Sequence, residues 1–280
     1  MSRLMILLML FGLAACGVPT QTQASNAQRP MRIVSLDYCA DQYVLKLADR
    51  DQILALSPEA ARDYSYMHEA AVGLQTVRPV TEDVLILKPD LIVRSYGGGP
   101  NAEAFFERTG IPVLTVGWTT HIDSEESGSI PSIIQQMADG LGQSERGREL
   151  VSEFRARLAA IEKHSDGKTA LYMTPAGVTS GPGSMIHEML VSAGFKNFEQ
   201  EPGWRALPLE RLAYAQPDVI AAAFFDRPGP APDSWSAMKH PVAKQQMEGR
   251  PVVQLQGAWT SCSAWFMIDA IEALAEGGES

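Results

Sequence analysis

The chain has 280 residues, of which 45% are hydrophobic and 20% are charged, and its formal net charge is -10 at pH 7. This length accommodates one large domain or two medium ones, and the composition is that of a globular protein rather than a disordered or fibrous one. The excess of acidic residues argues against nucleic acid as a partner, because phosphate binding needs a basic surface.

Residues 1–16 have the pattern of a lipoprotein export signal. Arg3 gives a positively charged start, and residues 4–13 form an apolar run that is too short to span a bilayer. The sequence Leu13-Ala14-Ala15-Cys16 resembles the lipobox of bacterial lipoproteins, which predicts lipidation of Cys16. A plain signal peptide that is cut near Ala15 is the alternative.

Residues 17–30 are polar and show no periodicity, which predicts a flexible tether. The mature chain contains no other apolar stretch of membrane-spanning length. We therefore expect an exported, periplasmic protein whose contact with a membrane is the lipid on Cys16. Which membrane carries this anchor is open.

Residues 31–143 alternate between short apolar strands and helices. Strands are predicted at 32–36, 53–56, 91–93 and 111–116. Helices are predicted at 42–47, 81–87 and 102–108, with Thr81 as the N-cap of the second. This alternation predicts βα units and a largely parallel sheet that is covered on both faces.

The segment 144–166 is predicted to form a long helix that starts with Ser144 as a cap and ends near His164. Its apolar residues recur at spacings of three and four and share one face: Leu150, Phe154, Leu158 and Ile161. Such a helix is roughly 30 Å long, about the width of a small domain. It can join two lobes rigidly, and the alternative is one more helix that covers a sheet.

The alternation restarts in residues 167–280. Strands are predicted at 169–173, 219–223 and 251–255, and a turn at 179–184. Helices are predicted at 185–193, 209–215 and 265–275. The chain is thus divided into an N-terminal lobe, a connecting helix and a C-terminal lobe.

Two pairs of segments repeat within the chain. Residues 82–93 align with 210–221, with Glu, Pro, Asp and Ile at matching places, and residues 110–118 align with 249–259. In each unit a helix begins with a carboxylate, a proline ends it, and a buried strand follows. The repeat predicts two similar lobes with a cleft between them, where ligands of hundreds of daltons usually bind.

This pattern resembles the periplasmic iron-siderophore and cobalamin binding proteins, which serve ABC importers, and the resemblance extends from about Arg32 to Ala275. Its matching pieces are the opening strand, both Glu-to-Pro-Asp units, Thr179-Ser180-Gly181 and the last strand with Trp259. It implies an α/β fold of two Rossmann-like lobes with mostly parallel sheets, joined by one long rigid α-helix.

The same resemblance implies a ligand in the cleft between the lobes, either a ferric siderophore or a corrinoid such as cobalamin, with haem as an alternative. It implies delivery of that ligand to an ABC permease dimer with its ATPase subunits, by a monomer without a resident cofactor. In the family, a glutamate on each lobe meets arginines of the permease. Glu82 and Glu210 match those positions, although a carboxylate in a first helical turn also stabilises the helix dipole.

Several aromatic residues and one arginine follow the predicted strands, where the cleft is expected. Aromatic faces suit a corrin, a haem or a catecholate, and arginine suits an anionic chelate. Core packing is the alternative for each aromatic residue, and it is the preferred interpretation of Trp265. The predicted ligand-binding residues are Tyr38, Tyr66, Arg94, Tyr96, Trp118, Trp204 and Trp259.

Cys39 and Cys262 fall after strands in different lobes, where they could pair, stay free or bind a metal. A transition-metal binding protein of related build would need converging ligands, whereas the five histidines are scattered along the chain. They are His68, His121, His164, His187 and His240. An enzyme is disfavoured, because no nucleophile elbow, phosphate loop, zinc-protease motif or dinucleotide fingerprint is present.

Overall fold

The structure is a computed structural model that describes residues 29–163, 167–223 and 236–278. The predicted signal segment, Cys16, most of the tether and His164 lie outside these ranges. None of the helices in the described ranges combines the length and the apolar character that crossing a bilayer requires.

The N-terminal lobe contains a four-stranded parallel sheet in the order β2-β1-β3-β4. Its strands are β1 (Ile33–Ser35), β2 (Ile53–Ala55), β3 (Leu91–Arg94) and β4 (Val113–Thr115). Its helices are α1 (Tyr38–Leu47), α2 (His68–Ala71), α3 (Thr81–Ile86) and α4 (Ala102–Arg108). The strands are largely buried, as expected of a parallel sheet that is covered on both faces.

Two helices connect this sheet to the next one: α5 (Ile130–Gly140) and α6 (Ser144–Ala160). They pack against each other through buried residues such as Met137 of α5 and Leu150 of α6. Helix α6 has 17 residues and is therefore about 26 Å long, shorter than the predicted helix that ended near His164.

The C-terminal lobe contains a second four-stranded parallel sheet in the order β10-β9-β5-β7, and a two-stranded antiparallel ribbon, β6-β8. The strands are β5 (Thr169–Met173), β6 (Val178–Ser180), β7 (Lys196–Asn197), β8 (Trp204–Ala206), β9 (Val219–Ala223) and β10 (Val252–Leu255). The helices are α7 (Met185–Ser192), α8 (Leu209–Leu212), α9 (Pro241–Gln245), α10 (Gly257–Thr260) and α11 (Met267–Gly277).

The two parallel sheets have the same topology, which confirms the repeat. The first strand of each lobe lies in the middle of its sheet, and the strand after the Pro-Asp dipeptide pairs with it. The Asp90 carboxylate accepts hydrogen bonds from the amides of Met31 and Arg32, both at 2.9 Å. Asp218 accepts the equivalent bond from the Thr169 amide at 2.7 Å. The repeated aspartate therefore ties two neighbouring strands together at their starts.

Several predicted boundaries are wrong by a few residues. Helix α1 begins at Tyr38 rather than at residue 42, and α8 ends at Leu212 rather than at residue 215. Val80, without a side-chain hydrogen bond, is the N-cap of α3, and Gln143 is the N-cap of α6, so Thr81 and Ser144 are the first helical residues. Residues 178–180 form a strand rather than part of a turn, because they pair with β8. The last helix begins at Met267, two residues later than predicted.

One apolar core crosses the boundary between the lobes. Its fully buried members include Tyr43 of α1, Phe154 of α6, and Tyr172 and Phe266 of the C-terminal lobe. Trp265 also belongs to it and is 5% exposed, as the sequence predicted. Two smaller clusters each remain within a single lobe. The lobes therefore have separate sheets and share their largest core.

Candidate functional site

A cleft of about 440 Å³ lies between the lobes, at the carboxyl ends of the parallel strands. From the N-terminal lobe it is lined by α1, which follows β1, and by the loops that follow β3 and β4. From the C-terminal lobe it is lined by residues 183–186 at the start of α7, residues 203–204 at the start of β8, and residues 260–264 at the end of α10 and just after it. Its volume falls in the range of small-molecule sites.

Four of the predicted ligand-binding residues line this cleft: Tyr38, Tyr96, Trp118 and Trp204. Trp118 is 86% exposed and Trp204 is 62% exposed, and they come from opposite lobes. Large aromatic side chains are seldom left so exposed unless they contact something else. The two indoles can cover opposite sides of a flat, partly apolar ligand.

The two tyrosines form the N-terminal side of the cleft. The Tyr38 and Tyr96 rings meet edge to face, with their centroids 6.1 Å apart. Burial, and then the neighbouring Tyr38, raise the pKa of Tyr96 above its usual value, so its phenol stays protonated at physiological pH. The ring of Tyr38 also contacts Tyr64, at a centroid distance of 5.4 Å.

Asp37 positions both tyrosines, although it is not among the residues predicted from the sequence. Its buried carboxylate caps α1 by accepting from the Ala40 amide at 3.0 Å. The other oxygen accepts from the amides of Ser95, Tyr96 and Gly97 at 2.7–3.1 Å. One side chain thus holds the loop after β3 against the start of α1. The predicted helix began at residue 42, four residues later than α1 does, and its N-cap aspartate was therefore not recognised.

Gly97 lets this loop approach the first strand. A β-carbon at this position would lie 2.4 Å from the carbonyl oxygen of Leu36, closer than such atoms approach in proteins. The backbone geometry therefore requires glycine here. The close approach places the Tyr96 side chain next to Tyr38 in the cleft wall.

Cys39 and Cys262 form a disulfide between the lobes, which resolves the alternatives left open by the sequence. Their Cα atoms are 5.6 Å apart, and both residues line the cleft. Two hydrogen bonds beside the disulfide also cross between the lobes. The Tyr38 hydroxyl donates to the Ser261 carbonyl at 3.3 Å, and the Thr119 hydroxyl donates to the Ser263 carbonyl at 2.7 Å. Cys262 is buried, so this side of the cleft is its floor.

The cleft lining carries no formal charge in the part of the chain that the structure describes. Its polar groups are the hydroxyls of tyrosine, serine and threonine residues, the indole N–H groups of Trp118 and Trp204, and the backbone. Those same described ranges contain no group of three or more histidine, cysteine, aspartate or glutamate residues that could hold a metal ion. Such a surface suits a neutral, amide-rich or apolar ligand better than a highly anionic one.

The structure does not bring Arg94, Tyr66 and Trp259 into the cleft. The buried Arg94 guanidinium donates to the carbonyls of Gly97 and Gly99 at 2.8 and 3.0 Å, because a buried cation needs such partners. Trp259 lies in α10, half-buried against the large core.

Tyr66 contacts the other lobe rather than the cleft. Its ring stacks on Phe266 with the centroids 4.4 Å apart, and its hydroxyl donates to Asp269 at 2.7 Å. Burial, and then the hydrogen bond to Asp269, raise the pKa of Tyr66. Asp269 also pairs with Arg157 of α6 at 2.6 Å, so Tyr66 belongs to an interlobe contact.

Glu82 and Glu210 occupy matching places, each as the second residue of its helix, α3 or α8. Both are exposed, and neither takes part in an ion pair with any other residue that the structure describes. Both helices begin beside loops of the cleft. A β-carbon on Gly98 would lie 3.9 Å from the carbonyl oxygen of Pro79, just before α3, and the strand of Trp204 leads into α8.

Comparisons with known proteins extend over most of the chain. The cobalamin-binding protein of Halobacterium salinarum (strain R1) is 25% identical over 224 residues, which cover 74% of this chain. The match covers 59% of that relative, so the chain spans less than two thirds of the relative's length.

Solved structures share the fold at lower identity. A periplasmic heme binding protein from Pseudomonas aeruginosa is 21% identical with a TM-score of 0.68, over 90% of this chain and 94% of that one. The periplasmic vitamin B12 binding protein of Vibrio cholerae is also 21% identical, with a TM-score of 0.60, over 90% and 97%. These likenesses show the two-lobed fold alone.

A family model described as "Periplasmic binding protein" matches residues 33–259. The match begins at β1, the first strand of the N-terminal sheet, and ends in α10, after the last strand of the second sheet. Since it includes both sheets and the helices between them, the chain belongs to the periplasmic binding protein family.

Proposed function

We propose that this protein is the substrate-binding component of an ABC importer and that it captures a corrinoid, such as cobalamin, between its lobes. The observation that carries the proposal is the cleft itself. Tyr38, Tyr96 and Trp118 of one lobe face Trp204 of the other, in a lining whose described residues carry no charge. The protein binds and releases its cargo and performs no chemical step on it.

The chemistry of the cleft favours a corrinoid over a ferric siderophore or haem. A corrin ring is broad and flat and carries neutral amide side chains, which aromatic faces and hydroxyl groups can contact. Ferric catecholates and the propionates of haem are anionic and would call for arginine or lysine. The names of the curated relatives, a cobalamin-binding and a vitamin B12-binding protein, support the same choice.

Haem or a ferric siderophore is the second candidate. Phenol oxygen is a known ligand of haem iron, and Tyr38 and Tyr96 place two phenols in the cleft. The fold is also shared by proteins named for heme and for Fe3+-hydroxamate transport. An iron-bound phenolate would give a charge-transfer absorption band, which corrinoid binding would not.

Ligand screening separates these cargoes. We expect cyanocobalamin at 100 times its dissociation constant to stabilise the protein by about 2.7 kcal/mol, because binding to the native state raises its stability by mass action. Haemin, a ferric hydroxamate, a ferric catecholate and cobinamide are tested separately as alternative ligands in the same thermal-shift assay. If haemin or a ferric chelate raised the melting temperature and neither cyanocobalamin nor cobinamide did, the corrinoid assignment would be refuted in favour of the iron-containing cargo.

The importer partner is an ABC permease dimer with its ATPase subunits, and docking uses Glu82 and Glu210. Two exposed carboxylates on separate lobes offer charge-assisted contacts to basic groups of the permease. The mature protein is a monomer that is held at a membrane by acyl chains on Cys16. Replacement of Cys16 by alanine is expected to abolish labelling by radioactive palmitate and to release the protein from the membrane fraction.

A further inference from the structure

Two exposed apolar side chains lie outside the ligand cleft at unusual places. Ile86 is 76% exposed and Tyr214 is 94% exposed. Among the described residues, they are the most exposed large hydrophobic side chains apart from Trp118, which lines the cleft. A single exposed hydrophobic residue needs no explanation, so the significance of these two depends on their positions.

The two residues are equivalent in the internal repeat. The alignment that matches Glu82 with Glu210 also matches Ile86 with Tyr214, four positions later in each case. Ile86 ends α3, and the amide of Tyr214 donates to the carbonyl of Arg211, which continues the turn of α8. Residues four apart on a helix are neighbours on one face. Each lobe therefore presents an exposed carboxylate in the first turn of its helix and an exposed apolar side chain four positions later.

The remaining residues of the two units have structural roles. Val84 and its counterpart Leu212 are buried and fix which face of each helix points outward. Asp90 and Asp218 bind the starts of the central strands. The carboxylate and the apolar side chain are thus left on the surface of both lobes. The same chemistry at equivalent places of two similar lobes fits a partner that itself has two similar halves.

We propose that Glu82 with Ile86, and Glu210 with Tyr214, form two matched docking contacts for a partner built from two like subunits. Each subunit would offer a basic group beside an apolar pocket, the first for the carboxylate and the second for the side chain one turn later. The proposal rests on the proposed function, which makes this partner the permease dimer. Charge complementarity alone would give fast encounter, whereas the buried apolar anchors slow dissociation.

The contacts are alike but not identical, because isoleucine and tyrosine differ in size. Removal of either anchor would expose the pocket that it fills. Full burial of such a side chain gives a change of about tenfold in the dissociation constant for each residue, and about a hundredfold for both.

Binding to the permease–ATPase complex that imports the cargo, reconstituted in lipid nanodiscs, tests the proposal. The variants are Ile86→Ser, Tyr214→Ser and the double variant. The matched control is Val72→Ser with Val191→Ser, which removes two exposed apolar side chains from other surfaces. We expect the double variant to dissociate faster and to bind about a hundredfold more weakly, with the control unchanged. Cargo affinity and melting temperature should stay at the wild-type values in all variants.

Three outcomes would overturn the proposal. If the double variant bound the permease with wild-type affinity, the proposed role of the two apolar side chains would be refuted, whereas the proposed importer function would not be affected. Equal weakening in the control would show a nonspecific effect. A wild-type dimer in sedimentation that the double variant abolishes would assign this surface to a second copy of the chain. Failure of the wild-type protein itself to bind the permease would instead refute the proposed function.

Discussion

Cys39 and Cys262, which are 223 positions apart in the chain, join the two lobes covalently at the floor of the ligand cleft. The exposed Trp118 and Trp204 line the same cleft, one from each lobe. The separation of the lobes is therefore fixed at the disulfide, and any opening of the cleft must take place away from it. We expect the change in lobe angle upon ligand binding to be small.

Loss of the disulfide should destabilise the protein without unfolding either sheet. Removal of a native disulfide typically costs about 2–5 kcal/mol. The variant with both Cys39→Ser and Cys262→Ser is expected to show this loss in urea unfolding, and wild type with reductant should match it. Alkylation of the unfolded, unreduced protein at both cysteines would contradict the bridge.

The two cleft tryptophans should dominate the affinity for cargo. Trp118→Ala and Trp204→Ala are each expected to weaken cyanocobalamin binding by about thirtyfold or more, because exposed aromatic anchors act as hot spots. Stability should change little, since both indoles are exposed. Tyr214→Ala is the matched control outside the cleft. Calorimetric titration measures the effect, and equal losses in the control would exclude a role of the indoles.

Asp37 should act on cargo affinity through Tyr96. Asp37→Asn replaces the carboxylate oxygen that accepts three amide hydrogen bonds by an NH2 group, which can only donate. This change costs about 2 kcal/mol of stability. Leu150→Ala, a change at a buried residue that does not line the cleft, provides a destabilised control. If Asp37 only stabilised the fold, the two variants would bind cyanocobalamin equally well. We expect weaker binding in Asp37→Asn alone.

Asp41 should make stability depend on pH. Burial raises the pKa of its carboxyl from 3.8 to about 6, despite hydrogen bonds from Ser57. Between about pH 4 and pH 6 the folded state therefore holds a proton on this carboxyl that the unfolded state has lost. The resulting contribution to the free energy of unfolding, about 3 kcal/mol at most, disappears as the pH rises from about 4 through 6. Urea unfolding of Asp41→Asn should lack this decline. The exposed Asp51→Asn should keep it, and the same decline in both variants would refute the assignment.

Glu82 and Glu210 should matter for uptake and not for binding. The double variant with Glu82→Ala and Glu210→Ala is expected to abolish uptake of labelled cyanocobalamin by cells, with ligand affinity unchanged. Glu107→Ala with Glu248→Ala removes one exposed glutamate from each lobe and is the control. Undiminished uptake in the first pair would disprove docking through these carboxylates.

The repeated lobes could be predicted from the sequence because their signals are local. Buried strands, the proline after each helix and the aspartate that follows it are all encoded within about a dozen residues. Tyr38, Tyr96 and Trp118 of the cleft could be predicted because they follow parallel strands, which end at one edge of a sheet. Helix α5 was missed, although its apolar residues Ile130, Ile133, Ile134 and Met137 have helical spacing.

The remaining features depend on distances that a sequence does not contain. A disulfide requires two Cα atoms within about 7 Å, and no local pattern brings residues 39 and 262 together. Arg94 follows a buried strand and was predicted to contact ligand, whereas the loop after β3 folds back and supplies its partners. Tyr66 was predicted in the cleft and instead packs across the lobes, because Phe266 offers it a stacking surface.

The shared core also determines how the protein melts. Phe154, Tyr172 and Phe266 lose part of their packing if either half of the chain is removed. Each half repeats the other in topology, yet neither half retains a complete interior when it is alone. Calorimetry should therefore record one cooperative transition rather than two, and a polypeptide cut between the halves should regain its native state only when both fragments are present together.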